Sequence, residues 1–146
     1  IGIKVNEHCK VTDNMVTENR AGGPGGKGYG IFSDSKGNLI QGNSCVQNDG
    51  KLRAYGIYLD WGMSKVDGNF CAEHININCE GYGIFIKSSM NGATVVNNHI
   101  VENRTAGIDL GNGFHYCGDN VIEDSPAVIN TTNSTIGTGD HANITF

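Results

Sequence analysis

Apolar and polar positions alternate along most of the chain with a period of two, in short runs that Asn or Gly interrupts every few residues. Such alternation turns successive side chains to opposite faces of a strand. Ile and Val recur at the apolar positions, which favours strand over helix. The runs also repeat. Asn14-Met-Val-Thr-Glu-Asn19, Asn43-Ser-Cys-Val-Gln-Asn48, Asn69-Phe-Cys-Ala-Glu-His74, Asn98-His-Ile-Val-Glu-Asn103 and Asn120-Val-Ile-Glu-Asp-Ser125 align. Two positions after the leading Asn stands Val16, Cys45, Cys71, Ile100 or Ile122. Three positions before it stands Val11, Ile40, Val66, Val95 or Cys117, so both columns are apolar throughout.

A second motif alternates with the first: Gly2-Ile-Lys-Val5, Gly30-Ile-Phe-Ser33, Gly56-Ile-Tyr-Leu59, Gly83-Ile-Phe-Ile86 and Gly107-Ile-Asp-Leu110, with a weaker sixth copy at Ala127-Val-Ile-Asn130. Successive glycines lie 28, 26, 27 and 24 residues apart. A propeller blade needs about 40 residues per repeat. A coil of roughly 22–29 residues holding two or three short strands fits instead. No coil buries its apolar side alone, so neighbours stack into one interior, with equivalent residues about 4.8 Å apart. The expectation is an all-β protein, a right-handed parallel β-helix of about five to six coils, as a single domain over residues 1–146. The first five residues already enter a repeat strand, and the finish, Ala142-Asn-Ile-Thr-Phe146, is strand-like too. Two expectations follow for the ends: a piece of a longer solenoid, or copies that stack head to tail into a fibre.

The Asn column becomes intelligible in such a stack. Asn14, Asn43, Asn69, Asn98 and Asn120 are expected to form a structural ladder, amide on amide, and to take the unusual dihedrals of the bend. His74, which stands where other segments have Asn, is expected to join a ladder, as is Asn103. Cys45 and Cys71 occupy one column of adjacent coils and are expected as stacked, buried thiols, because disulfide geometry is demanding. Tyr29, Tyr55 and Tyr82 each precede a strand glycine and are expected to stack.

Composition agrees. The chain has 22 Gly, 18 Asn and only 2 Pro, is 38% hydrophobic, and carries 17% charged residues. Gly and Asn tolerate positive φ, so tight turns between short buried strands are expected, and disorder is not. A formal net charge of -5 with scattered Lys and Arg argues against a nucleic-acid partner. No apolar run approaches the ~20 residues of a membrane span, and no signal peptide is visible. Cys9, Cys45, Cys71, Cys79 and Cys117 include no C-x-x-C pair, so a zinc site is not expected. Glycosylation sequons at Asn103, Asn130, Asn133 and Asn143 hint at export, with Asn103 a poor acceptor because of its ladder position.

Gly-Ile-x-Φ strands alternating with Asn-x-Φ-x-x-Asn segments resemble the parallel β-helix repeats of the NosD-like and carbohydrate-binding/sugar-hydrolase superfamily. Pectate-lyase-like enzymes, alginate epimerases and phage tailspikes are similar in architecture. The resemblance covers about residues 1–130. It implies the fold and a glycan-related or surface-exposed role, outside the cell or on a cell or virion surface. It carries over no catalytic residue, because unrelated activities share this scaffold.

Alternation also sorts the faces of the Gly-Ile strands. With Ile31, Ile57, Ile84 and Ile108 inward, Phe32, Tyr58, Phe85 and Asp109 face out, and Asp34, Asp60 and Lys87 follow two residues later. Phe32, Tyr58, Phe85, Asp34, Asp60 and Lys87 are therefore the candidate glycan-binding residues, aromatic rings beside charge. Asp34 and Asp60, on adjacent coils, approach the ~5 Å separation of a retaining glycosidase pair and are the candidate catalytic carboxylates. The same oxygens suit Ca²⁺, the one cofactor considered. The competing reading is a covered face, with the inserts at 21–27 and 48–54 folded over the aromatics. The histidines show no metal-ligand spacing, and His115, in the irregular turn at 111–118, is expected to be the exposed one. The Gly22-Gly-Pro-Gly-Gly-Lys27 loop lacks the phosphate-cradle pattern and is expected as a flexible bulge. The expected function is a rigid extracellular module that binds polysaccharide or builds a fibre from its own copies. The alternative is a polysaccharide lyase, hydrolase or epimerase.

Overall fold

The structure of the chain is a computed structural model, and it describes residues 1–75, 78–87, 90–124 and 126–145. Three six-stranded parallel sheets run side by side, and each turn of the chain adds one strand to each. The first sheet stacks Ile3–Val5, Lys27–Ser33, Arg53–Leu59, Glu80–Ile86, Ala106–Asp109 and Val128–Ile129. The second stacks Lys10–Thr12, Leu39–Gln41, Lys65–Asp67, Thr94–Val96, Tyr116–Gly118 and Thr135–Ile136. The third stacks Met15–Thr17, Ser44–Val46, Phe70–Ala72, His99–Val101, Val121–Glu123 and Ile144–Thr145. Arg20–Ala21 and Asp49–Gly50 form a small extra pair beside the first sheet. This is the β-solenoid that the repeat predicts, of about five turns, with no α-helix among the described residues and a single 3-10 turn at Gly139–His141. Among the described residues no helix is long and apolar enough to cross a membrane.

Strands pair in register, so each sequence column becomes a physical column. Ile3, Ile31, Ile57, Ile84, Ile108 and Val128 stack in the first sheet. Val11, Ile40, Val66, Val95, Cys117 and Ile136 stack in the second. Val16, Cys45, Cys71, Ile100 and Ile122 stack in the third. The three columns meet inside as one core, in which each fully buried Val, Ile or Leu contributes about 1.5–3 kcal/mol. Cys45 and Cys71 lie side by side within it, and all five cysteines are free thiols.

The three corners share one device. A residue at positive φ makes the bend, and the next residue joins a ladder. Between the first and second sheets the bend residues are His8, Gly37, Met63 and Gly92; between the second and third they are Asp13, Gly42, Gly68, Asn97 and Asp119. On the return to the first sheet they are Glu18, Gln47, Glu73 and Glu102. The bend thus precedes each ladder Asn from Asn14 to Asn120 and does not fall on it, contrary to the sequence expectation. A ladder Asn must aim its backbone N–H and its side chain at the same oxygen. From Asn14 through Asn120, both N–H groups donate to Oδ1 of the Asn one turn on, at 2.8–3.1 Å. Asn143 is the last acceptor and a sixth member that the repeat alignment missed.

A second ladder runs along the third corner. Asn19 donates to Asn48 Oδ1 at 2.8 Å, and the Asn48 N–H donates to His74 Nδ1 at 3.2 Å. Asn103 ends on Asp124, which accepts its backbone N–H at 2.6 Å and its amide at 2.9 Å. Asp124 therefore fills the place that the alignment gave to Ser125; Ser125 and Phe146 lie outside the described residues. At the first corner a mixed ladder includes His115, whose Nδ1 accepts the Ala93 N–H at 3.2 Å. His115 is buried, which corrects the expectation that it is the exposed histidine. Its turn is irregular in sequence, yet it delivers a ladder residue.

Candidate functional site

The outer face of the first sheet collects the predicted site residues. Strict alternation would put Tyr29 and Phe32, three residues apart, on opposite faces. They share one face because pairing skips the glycine between them: Tyr82 pairs with Tyr55 and Ile84 with Ile57, and Gly83 and Gly56 stay out of the ladder. Gly56 is needed there, since a Cβ would lie 2.6 Å from both the Gly83 carbonyl oxygen and His74 Nε2. The same break recurs between Tyr29 and Ile31. The result is a double aromatic column. Tyr29, Tyr55 and Tyr82 stack at 5.1 and 5.6 Å between ring centroids. Phe32, Tyr58 and Phe85 stack at 5.3 and 5.2 Å, with planes 9° and 5° apart. Edge-on contacts at 5.0–5.3 Å tie the two columns together, and each such pair adds about 0.5–1.5 kcal/mol beyond its buried area.

Charged columns flank the rings. Lys4 pairs with Asp34 at 2.7 Å and Lys87 with Asp60 at 2.8 Å. Asp34, Asp60 and Lys87 follow the sheet register, their N–H groups donating to Val5, Ser33 and Leu59 at 2.9, 2.9 and 3.0 Å. Lys4 Nζ also stands 5.5 Å from the Phe32 centroid, within cation–π range. On the other side Arg53 pairs with Glu80. Tyr58 Oη donates to Asp60 Oδ1 at 3.3 Å, and Tyr82 Oη donates to Glu80 Oε2 at 3.2 Å. Burial pushes the Tyr55 hydroxyl up to about 12. Burial first, then the adjacent carboxylates, raise Tyr58 and Tyr82 as well. These phenols are neutral hydrogen-bond donors at physiological pH.

The structure therefore brings Phe32, Tyr58, Phe85, Asp34, Asp60 and Lys87 onto one face. It adds Tyr29, Tyr55, Tyr82, Arg53 and Glu80, which alternation alone did not place there, and Lys4, which stands beside Phe32 in the same register. Ring faces are turned on one another along the axis, so what Phe32, Tyr58 and Phe85 offer the solvent is chiefly their edges. The predicted inserts meet each other beside the sheet: Arg20 pairs with Asp49 and Ala21 with Gly50. Asp109, next in the Phe85 column, is buried and accepts the Gly111 N–H at 2.9 Å and the Asn130 amide at 2.6 Å. It closes the face at that end.

A family model described as "Periplasmic copper-binding protein (NosD)" matches residues 1–145. No curated protein and no solved structure matches the chain. That description implies copper. Copper(I) takes soft thiolate or thioether ligands, and copper(II) takes tetragonal imidazole and oxygen sets. No group of three or more His, Cys, Asp or Glu among the described residues is placed to hold a metal ion. The two thiols that meet, Cys45 and Cys71, lie fully inside the core. The contact with Cys45, together with burial, holds the Cys71 thiol well above its ordinary range. Burial pushes Cys117 up to about 12. The Cys71 and Cys117 thiols are protonated, and all three sulfurs are closed to solvent. His74 and His115 stand in different ladders, each with Nδ1 already taking a backbone N–H. Among the described residues these imidazoles and thiols do not assemble a copper centre.

Proposed function

Because the chain belongs to the NosD family of parallel β-helix proteins, we propose that it is a rigid exported scaffold that binds glycan on the outer face of its first sheet. One observation carries the reading: aromatic edges and paired charges repeat in register over successive turns of a flat face. A polymer of repeating sugars lying along the solenoid axis meets the same chemistry at each turn. Phenol and lysine N–H or O–H groups donate to sugar oxygens, and Asp34 and Asp60 accept from hydroxyls. The family's description as periplasmic supports an exported location. Binding is favoured over catalysis because each candidate carboxylate already holds a lysine, at 2.7 and 2.8 Å. The catalytic alternative rests on Asp34 and Asp60 occupying adjacent turns.

A glycan array followed by calorimetry on the intact chain tests the proposal. Asp60→Asn and Lys87→Ala are expected to weaken the ligand found by about tenfold, the range for charge-assisted hydrogen bonds. Phe70→Ala, on the outer face of the third sheet, is expected to leave it unchanged. An intact chain that binds no glycan contradicts the proposal. Depolymerisation that Asp60→Asn abolishes establishes the enzyme reading instead.

A further inference from the structure

The family description names copper, and the donors of the folded chain disagree with it. We infer that copper(I) binds the unfolded chain, through Cys71 and Cys79 first, and so opposes this fold instead of completing it. The glycan face takes no part in this, and the two proposals fail separately.

Every thiol, imidazole and thioether of the chain lies among the described residues. Cys45, Cys71 and Cys117 are fully buried, Cys79 is buried and Cys9 is half-buried. The thiols that pair in register are Cys45 and Cys71. Their column continues as Val16 on one side and Ile100 and Ile122 on the other, with no third donor. A copper dithiolate there would bury a net negative charge among aliphatic side chains, which is unfavourable without polar partners. Cys79 lies elsewhere, hydrogen-bonded to the Gly50 backbone. Cys117 takes the amides of Asn120 and Asn143 at 3.5 and 3.8 Å. The exposed imidazoles stand apart, each beside one carboxylate: His8 with Glu7 at 3.9 Å, His99 with Glu123 at 3.0 Å and His141 with Asp119 at 3.1 Å. Met63 and Met90 line one corner, where Lys36, Trp61, Gly62 and Asn91 add no thiol or imidazole.

Unfolding removes these obstacles. The thiols reach water, recover their ordinary acidity and become the soft ligands that copper(I) prefers. Cys71 and Cys79 are eight residues apart in sequence, so one ion held by both closes only a short loop. One copper(I) and two thiols give a two-coordinate dithiolate, and the two thiol protons pass to solvent. The fold keeps this pair apart, Cys71 against Cys45 in the core and Cys79 beside Gly50. A ligand that the unfolded chain holds and the folded chain does not shifts the equilibrium toward unfolding.

The reduced chain, kept free of oxygen, is mixed with copper(I) as its coloured bicinchoninate complex, and loss of colour counts the metal taken up. As copper is raised, uptake by the native chain is expected to level off at the rate of unfolding, measured separately by circular dichroism. In urea beyond the unfolding midpoint, uptake is expected to be immediate and stoichiometric. The melting temperature is expected to fall as copper is added. Cys79→Ala, which leaves Cys45 and Cys71 in place, is expected to show a smaller fall. Uptake by the native chain faster than it unfolds, a melting temperature that holds or rises with copper, or an undiminished fall in Cys79→Ala overturns the inference.

Discussion

At the scale of single residues, the fold depends on side chains that serve backbone and neighbour at once. Asn98 donates to Asn120, Val66 and Val96 and accepts from Asn69, all at 2.8–3.1 Å. Asn98→Ala strands buried partners on two turns, at about 1–3 kcal/mol for each unsatisfied group. Asn112 is exposed, so Asn112→Ala is expected to change stability far less. Comparable denaturation midpoints for the two variants contradict the ladder. His74 gives a pH dependence. Burial lowers its pKa from 6.5 to about 4, so the unfolded chain binds the proton first as pH falls. Stability is full above about pH 6.5 and declines down to about 4, by about 3 kcal/mol in all. His115 shifts the same way through burial. Asp124, raised by burial, acts in the opposite sense and loses stability as pH rises through its folded pKa. His74→Asn is expected to flatten the acid limb of a stability–pH curve. An unchanged slope between pH 6.5 and 4 removes His74 as the cause.

At the scale of elements, the sequence showed the columns because a solenoid writes one turn above the next. Ile31 above Ile57 above Ile84 is visible both as a repeat and as a stack. The bends were less legible. Positive φ falls on Glu18, Gln47, Glu73 and Glu102, residue types with no turn signature, and only the following ladder residue betrays them. The Tyr column was visible as a repeat, but its face was not, because alternation breaks at a glycine that the strand register skips. That glycine makes its own prediction. A Cβ on Gly83 meets Ile100 Cγ2 at 2.4 Å and the Gly107 carbonyl at 2.8 Å, so Gly83→Ala is expected to lose about 1–3 kcal/mol through overpacking. Gly68→Ala, with nothing near the added carbon, is expected to lose only the smaller cost of its left-handed φ. Thermal melts of the pair check the order, and the reverse order contradicts the close packing at Gly83.

At the scale of the whole molecule, one core carries three outer faces of different chemistry. The first sheet shows aromatic edges between ion pairs, whereas the third exposes Met15, Phe70 and Ile144. The proposed glycan face is the first of these, and period-two alternation put Phe32, Tyr58 and Phe85 together on it. The most direct test of the account is chemical-shift mapping of the isotope-labelled chain during titration with the best oligosaccharide from the array. The account predicts saturable shifts at Phe32, Tyr58, Phe85, Asp34, Asp60 and Lys87 while Met15 and Phe70 stay still. Saturable shifts confined to the second or third sheet, or none anywhere, contradict it.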